Sequence, residues 1–408
     1  MAIVIIGAGH AGVEAADALR RQGYDGELTI VDGATHEPYQ RPPLSKDYVD
    51  PGADASPLPM RAAKFWADQR VRLLLGSPVE RVDRAARIVR LADGTELGYD
   101  DLVLATGAHG RPAPCAGAEL DGVLILRTLD DAIRVRSMLA DARRVVVVGA
   151  GFIGLEFASA AEKRGLAVTV LELAERPMQR VLSPVMSEHY RARHQAAGAR
   201  LVFGEGLAGL EGTDGRVSAV IGSSGARYEA DLVVLGLGIT PADELGREMG
   251  LRIDNGIAVD EQLRTSDPHV YAIGDVASYP SGYAGCRVRL EAVQNATDQA
   301  RALARTLTGT AEAYTAVPWF WTVQCGTKLQ IAGLAVPEME TVTTGELDAG
   351  KGSVLGFVDG RLVCVESVGA PGDHLAARKL IAAGGGGVTP EQAREPGFTL
   401  KAAAKTLA

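Results

Sequence analysis

Gly7-Ala8-Gly9-His10-Ala11-Gly12 and Gly149-Ala150-Gly151-Phe152-Ile153-Gly154 are two copies of one glycine pattern in a single chain. Each copy follows a β-branched run, Ile3-Val4-Ile5-Ile6 or Val145-Val146-Val147-Val148, and opens into a helix-compatible segment, Glu14-Ala15-Ala16 or Glu156-Phe157-Ala158. In such a strand–turn–helix unit the first glycine makes the tight turn and the second lets a pyrophosphate reach the backbone. The third lets helix and strand pack closely, and unused N–H groups face the anion. In both copies an acidic residue closes the next apolar strand: Asp32 after Leu28-Thr29-Ile30-Val31, and Glu172 after Val168-Thr169-Val170-Leu171. The pattern predicts two dinucleotide sites. A carboxylate in that place accepts ribose hydroxyls and repels a 2′-phosphate, so Glu172 favours NAD(H) over NADP(H); the bland alternative is a solvated charge at a strand end.

Composition agrees with two nucleotide-binding units. The 408 residues are 47% hydrophobic with both charge signs interspersed, which suits a globular chain of two to three domains. The longest apolar stretches are broken by glycines and by Glu14 or Glu156, so none reads as a membrane span. The N-terminus has no basic leader region, its apolar run serves as the first strand, and the expected location is the cytoplasm. A net charge of −9 argues against nucleic acid or an anionic membrane as a main partner. Cys115, Cys286, Cys325 and Cys364 form no CxxC pair, which argues against a disulfide framework, a zinc site and a redox-active dithiol, so no metal is expected. Cys325 alone stays open, because it follows an aromatic segment.

The order of elements predicts an α/β chain in which a domain is interrupted by a copy of itself. Asp101-Leu102-Val103-Leu104-Ala105, ending in Thr106-Gly107-Ala108, precedes the second glycine unit. Asp231-Leu232-Val233-Val234-Leu235, with Gly236 and Gly238, closes that unit, and Val270-Tyr271-Ala272-Ile273-Gly274-Asp275 follows as a further buried strand. The expected boundaries are 1–109 and 237–316 for the first Rossmann-like domain, 110–236 for the inserted one, and 317–408 for a small α+β C-terminal domain. Thr128-Leu129-Asp130-Asp131 reads as a capping box, and Asp93-Gly94, Asp214-Gly215 and Asp359-Gly360 as hairpin turns. A C-terminal helix capped by Asp373 is expected before a flexible break at Gly384-Gly385-Gly386-Gly387.

Four further strings carry a family resemblance: Pro38-Tyr39-Gln40-Arg41-Pro42-Pro43-Leu44-Ser45-Lys46, Gly151-Phe152-Ile153-Gly154-Leu155-Glu156, Thr265-Ser266-Asp267-Pro268 leading to Gly274-Asp275, and Pro318-Trp319-Phe320-Trp321. Over nearly its whole length the chain resembles the FAD-dependent, NADH-using ferredoxin reductases of the putidaredoxin reductase-like group, which serve haem-thiolate monooxygenases and ring-hydroxylating dioxygenases. The resemblance implies a glutathione-reductase-like arrangement with FAD in the first site and NADH in the second. FAD would meet Gly7, Gly9, Ala11, Gly12, Asp32, Arg41, Lys46, Val79, Ala105, Thr106, Gly107, Arg127, Gly274, Asp275 and the backbone near Val293. NADH would meet Gly149, Gly151, Phe152, Ile153, Gly154, Glu156, Glu172 and Gly238.

The same resemblance sets Lys46, paired with Glu156, beside the flavin, where a cation stabilises the charge that reduction creates. It sets Trp321 on the face from which electrons leave, although Trp319, Phe320 and Trp321 read equally as a domain-interface core. The implied activity is hydride transfer from NADH to FAD, then release of single electrons to a [2Fe–2S] ferredoxin, by a monomer or weak dimer. Arg301, Arg305, Lys328, Arg378 and Lys379 are candidate docking cations. The chain departs from the family where Thr322-Val323 replaces the usual Ser-Asp, and where Asp32-Gly33 reverses the usual order. An NADH oxidase without ferredoxin and a redox sensor similar to apoptosis-inducing factor are the competing readings.

Overall fold

The computed structural model describes residues 1–50 and 58–407, which fold as two bodies. The first comprises 1–40, 58–109 and 240–316; the second comprises 41–50, 110–239 and 317–407.

The first body is built on a five-stranded parallel sheet ordered Val270–Ala272, Asp101–Leu104, Ala2–Ile6, Glu27–Val31, Arg72–Leu74. Its central strand Ala2–Ile6 is apolar at every position, as expected where helices cover a parallel sheet on both faces. Ile3, Ile5, Ile30, Leu102 and Leu104 are buried in its core. Helix His10–Arg21 packs against helix Val293–Leu307 through an alanine-rich face that lets the two axes come close. A three-stranded antiparallel sheet, Val79–Asp83, Ile88–Leu91 and Glu96–Gly98, turns at Asp93-Gly94 as the sequence predicts.

The second body repeats the parallel design: Arg200–Phe203, Ala167–Glu172, Arg144–Val148, Leu232–Leu235, Val123–Ile125. Its other half is an antiparallel five-stranded sheet ordered Trp319–Gln324, Thr327–Gly333, Arg361–Val368, Lys351–Val358, Glu340–Glu346, backed by helix Pro371–Ala382. Helix Phe152–Lys163 packs on strand Trp319–Gln324, so the two halves form one unit. Asp214-Gly215 and Asp359-Gly360 take positive φ at both residues, the conformation that two-residue hairpins require. Thr128 forms the full capping box with Asp131.

Two local expectations are corrected. Ala370 is the residue preceding helix Pro371–Ala382, and Asp373 sits within its first turn, where its carboxylate accepts the Ser353 hydroxyl at 2.9 Å. The glycine run after that helix is tied down. Gly385 donates to the Leu380 carbonyl and accepts from Leu362 N–H, and a Cβ there would lie 2.3 Å from the Leu362 oxygen, so glycine is needed for close approach.

Candidate functional site

Both glycine turns are built alike. Gly7 and Gly149 take φ +111° and +104°, and a Cβ on either would strike a carbonyl of the neighbouring strand end, Ala105 O at 2.3 Å or Gly236 O at 2.4 Å. A Cβ on Gly12 would lie 1.9 Å from Gly7 O, and one on Gly154 2.2 Å from Gly149 O. These four glycines are demanded by the fold. Gly9 and Gly151 are different: each has ordinary extended backbone, and a Cβ would meet nothing within 4 Å. Each is the N-cap of its helix, and neither helix start is capped by a side chain. Helix Pro184–Ala197, by contrast, is capped by Ser183. Open space in front of uncapped N–H groups is what a pyrophosphate needs.

The two carboxylates hold the turns. Asp32 accepts Ala8 N–H at 2.6 Å and Ala34 N–H at 2.7 Å; Glu172 accepts Ala150 N–H at 2.6 Å and Ala174 N–H at 2.8 Å. A carboxylate has about four lone-pair positions, so each retains acceptors for ribose hydroxyls.

In the first body a cavity opens beside this turn, lined by Gly7, Asp32, Gly33, Val79, Thr106 and His109 among others. Four of the sequence-predicted FAD residues therefore meet at one wall. Thr106 gives its hydroxyl to Ala242 O at 2.6 Å, and Gly107 O accepts Ala242 N–H at 3.0 Å, which fixes the strand end after Ala105. Gly274, at φ +76°, has no room for a Cβ because Ala11 would be 2.9 Å away. Asp275 follows it, with its carbonyl accepting from Arg289, and Val293 begins the helix Val293–Leu307. Gln299, absent from the sequence-predicted set, takes Gly274 N–H on its Oε1 at 2.7 Å while its buried amide nitrogen has no protein partner. That orphaned donor and the open cradle at Gly9 fit an FAD in this body.

Arg41, Lys46 and Arg127 fold with the second body and do not line this cavity. Arg127 gives its backbone N–H to Asp131 in the Thr128 cap. Lys46 Nζ lies 2.7 Å from Glu156 Oε2, both side chains being largely buried. Ser45 donates its hydroxyl to the same oxygen at 2.5 Å, and Thr322 donates to Glu156 Oε1 at 2.6 Å. Lys46 also stands 5.2 Å from the centre of the Trp321 ring, and Lys328 stands 5.5 Å from it.

Alternation along strand Trp319–Gln324 arranges the aromatic segment. Phe320 stacks on Phe152, ring centres 4.4 Å apart, at the start of the second nucleotide helix. Trp319 packs against His374 and carries the Arg378 guanidinium 4.8 Å from its ring centre. Burial, reinforced by the charges of Arg378 and Lys328, lowers the His374 pKa to about 4. Val323 is 36% exposed, so the carboxylate this chain lacks would have been a surface group. Thr322 supplies a hydroxyl where the family has serine, and the polar shell of Glu156 is intact. Gly238, at φ +89°, accepts from Arg111 N–H, and Ile153 is 46% exposed.

Sequence reasoning missed Ser45 and Thr322 as partners of Glu156, though both lie in strings singled out for other reasons. It also missed Arg61 and Arg301, which neutralise Glu14 at 3.0 and 2.9 Å.

A paired-Rossmann fold with two anion cradles defines a nucleotide-dependent oxidoreductase. Residues 1–300 match the family described as pyridine nucleotide-disulphide oxidoreductase, and residues 319–404 match the reductase C-terminal family. The chain belongs to the pyridine nucleotide-disulphide oxidoreductases, whose ferredoxin- and rubredoxin-reducing members use FAD and NAD(H). It is 49% identical over 404 residues to rhodocoxin reductase of Rhodococcus erythropolis, covering 99% of this chain and 94% of that one. Among solved structures it resembles the ferredoxin reductase for the CYP199A2 system from Rhodopseudomonas palustris, with TM-score 0.96, 44% identity and 99% of each chain covered. The covalent putidaredoxin reductase–putidaredoxin complex aligns with TM-score 0.94 and 37% identity, covering 99% of this chain and 98% of that one. Among the described residues, no helix is long and apolar enough to cross a membrane.

Proposed function

We propose that this chain is an NADH-dependent ferredoxin reductase, with FAD held by the first body's glycine turn and NADH by the second's. The observation that carries the reading is the buried Lys46–Glu156 pair on the second nucleotide helix, roofed by Trp321. FAD, when bound, supplies the conversion of one hydride into two single electrons. The chain's own residues do the rest. Uncapped N–H groups at Gly9 and Gly151 bind diphosphates, Asp32 and Glu172 orient riboses, and Glu172 disfavours a 2′-phosphate. Glu156, paired with Lys46 and fixed by Ser45 and Thr322, holds that lysine's charge in a largely buried site, where a positioned cation counts for more than in water.

The partner in this reading is a small [2Fe–2S] ferredoxin feeding a haem-thiolate monooxygenase or a ring-hydroxylating dioxygenase. Similarity to rhodocoxin reductase, to a ferredoxin reductase of the CYP199A2 system and to a reductase solved in covalent complex with putidaredoxin supports it. Of the docking cations, Lys328 and Arg378 are favoured because each lies over a half-buried tryptophan on the edge strand of the C-terminal sheet. Arg301 is committed to Glu14. The reading includes a cytoplasmic location and a monomer or weak dimer.

The test is anaerobic rapid mixing with NADH and then with a panel of [2Fe–2S] ferredoxins. Bleaching of the yellow protein followed by transfer to at least one ferredoxin is expected. The double change Lys328→Glu, Arg378→Glu should slow that transfer while ferricyanide reduction by NADH stays normal. Fast bleaching with no transfer to any ferredoxin would favour the oxidase or sensor reading instead.

A further inference from the structure

Outside the nucleotide sites, the fold gathers three metal-type ligands that the sequence keeps far apart. Glu162 lies at the end of helix Phe152–Lys163, His194 in helix Pro184–Ala197, and Cys325 at the turn between strands Trp319–Gln324 and Thr327–Gly333. Their ligand atoms all fall within 4.8 Å of one another. His194 Nδ1 is 3.2 Å from Glu162 Oε1, and Cys325 Sγ is 3.9 Å from Glu162 Oε2. Ligands about 2.0–2.3 Å from a tetrahedral zinc-type ion stand roughly 3.3–3.8 Å from each other, so small side-chain adjustments suffice.

The site is also supported from behind. His194 is fully buried, and its Nε2 meets Gln324 Oε1 at 3.1 Å. The Gln324 amide nitrogen donates to Thr322 Oγ1 at 3.1 Å, which sets the amide so that Oε1 accepts a proton from Nε2. With Nε2 as the donor, Nδ1 is the nitrogen that faces the cluster. This is the outer-shell arrangement that fixes a metal-binding imidazole. Cys325 is clamped in a left-handed conformation, φ +47°, by two contacts: its N–H donates to Ser159 Oγ at 2.7 Å, and its carbonyl accepts from Arg193 at 3.1 Å. Tyr190, one helical turn before His194, is buried with a hydroxyl that has no protein partner.

We propose that Glu162, His194 Nδ1 and Cys325 form a binding site for a thiophilic divalent cation of the zinc class. The ion takes one carboxylate oxygen, one imidazole nitrogen and one thiolate, leaves one position for water, and displaces the protons on Sγ and Nδ1 to solvent. Two negative ligands balance its charge in a half-buried place. Cysteine spacing could not disclose the site, because each ligand comes from a different element. The ion fastens the second nucleotide helix to the C-terminal sheet. It also fixes the direction of the hydrogen bonds running from His194 through Gln324 and Thr322 to Glu156.

The experiment uses the full-length flavin-loaded protein, stripped with EDTA and titrated with Co²⁺, whose tetrahedral thiolate sites absorb in the red where oxidised flavin is transparent. Wild-type protein should saturate at one Co²⁺ per chain with those bands, and Zn²⁺ should displace it and raise the melting temperature. Cys325→Ser and His194→Gln should abolish the bands while flavin content remains normal. Gln324→Ala should weaken binding about 10–100-fold. No saturable red band in the wild type, or an undiminished band in Cys325→Ser, would overturn the proposal.

Discussion

The helices behind the two glycine turns are built alike but surround one shared residue differently. Seven positions after the first glycine, both carry a buried glutamate, Glu14 and Glu156. Glu14 is met by two arginines, Arg61 and Arg301, and Arg61 also bridges to Asp17 at 2.6 Å. Glu156 is met by one lysine and two hydroxyls, beneath a tryptophan. The first arrangement overcompensates its carboxylate and ties helix to chain. The second leaves a balanced pair with little positive excess, held by small donors beside an aromatic ring. A duplicated scaffold thus keeps the same glycine turn in both copies, while one position at the back of the helix is tied up by arginines in one copy and, in the function proposed above, serves the chemistry in the other.

The largest effects should come from splitting the two cradles. Gly9→Ala and Gly151→Ala add a methyl where the protein has space and the backbone tolerates it, so both variants should fold. Gly9→Ala should purify colourless or nearly so. Gly151→Ala should stay yellow but resist bleaching at NADH concentrations that saturate the wild type. Flavin absorbance and anaerobic NADH titration read the two outcomes. A tenfold effect is expected at the ribose: Glu172→Ala should cut the preference for NADH over NADPH by roughly tenfold, about 1.4 kcal/mol, measured as a ratio of kcat/KM values. Asp32→Ala should leave that ratio alone and loosen FAD.

The smallest effect lies in the C-terminal sheet, whose strand Trp319–Gln324 packs on the second nucleotide helix. The His374 pKa falls to about 4 in the folded protein against an ordinary 6.5. Between those values the unfolded chain binds the extra proton, so the contribution is complete above pH 6.5 and is lost as pH falls through 4. Melting curves should show His374→Gln with a shallower loss of stability than the wild type across that window.

Much of this was legible because period and punctuation agree with the fold. Each glycine turn sits between an apolar strand and a helix, and each acidic strand end follows at the expected distance, so both cradles could be read directly. The aspartate–glycine hairpins and the Thr128 cap were equally plain, since each depends only on adjacent residues. Strand Glu340–Glu346 was not seen: it is a polar sheet edge with only Val342 buried, so it lacks an apolar alternation. The partners of Glu156 were hidden for another reason. Ser45 and Thr322 are ordinary residues locally, and their meaning comes from the fold bringing them to Glu156 from 111 and 166 positions away. Arg301 looked like a solvated docking cation until Glu14 claimed it.

The contrast between the two glutamates is tested most directly by Glu14→Gln and Glu156→Gln, each assayed for melting temperature and for the rate of anaerobic flavin reduction by NADH. The expected result is a crossing. Glu156→Gln should slow reduction about 10²-fold with flavin content retained, the scale of losing one electrostatic contact at a reacting centre. Glu14→Gln should reduce flavin at close to the wild-type rate while losing about 1–3 kcal/mol of stability as the two arginines lose their carboxylate. Equal slowing in both variants, or a stability loss confined to Glu156→Gln with its reduction rate unchanged, would contradict the division of labour between the two copies.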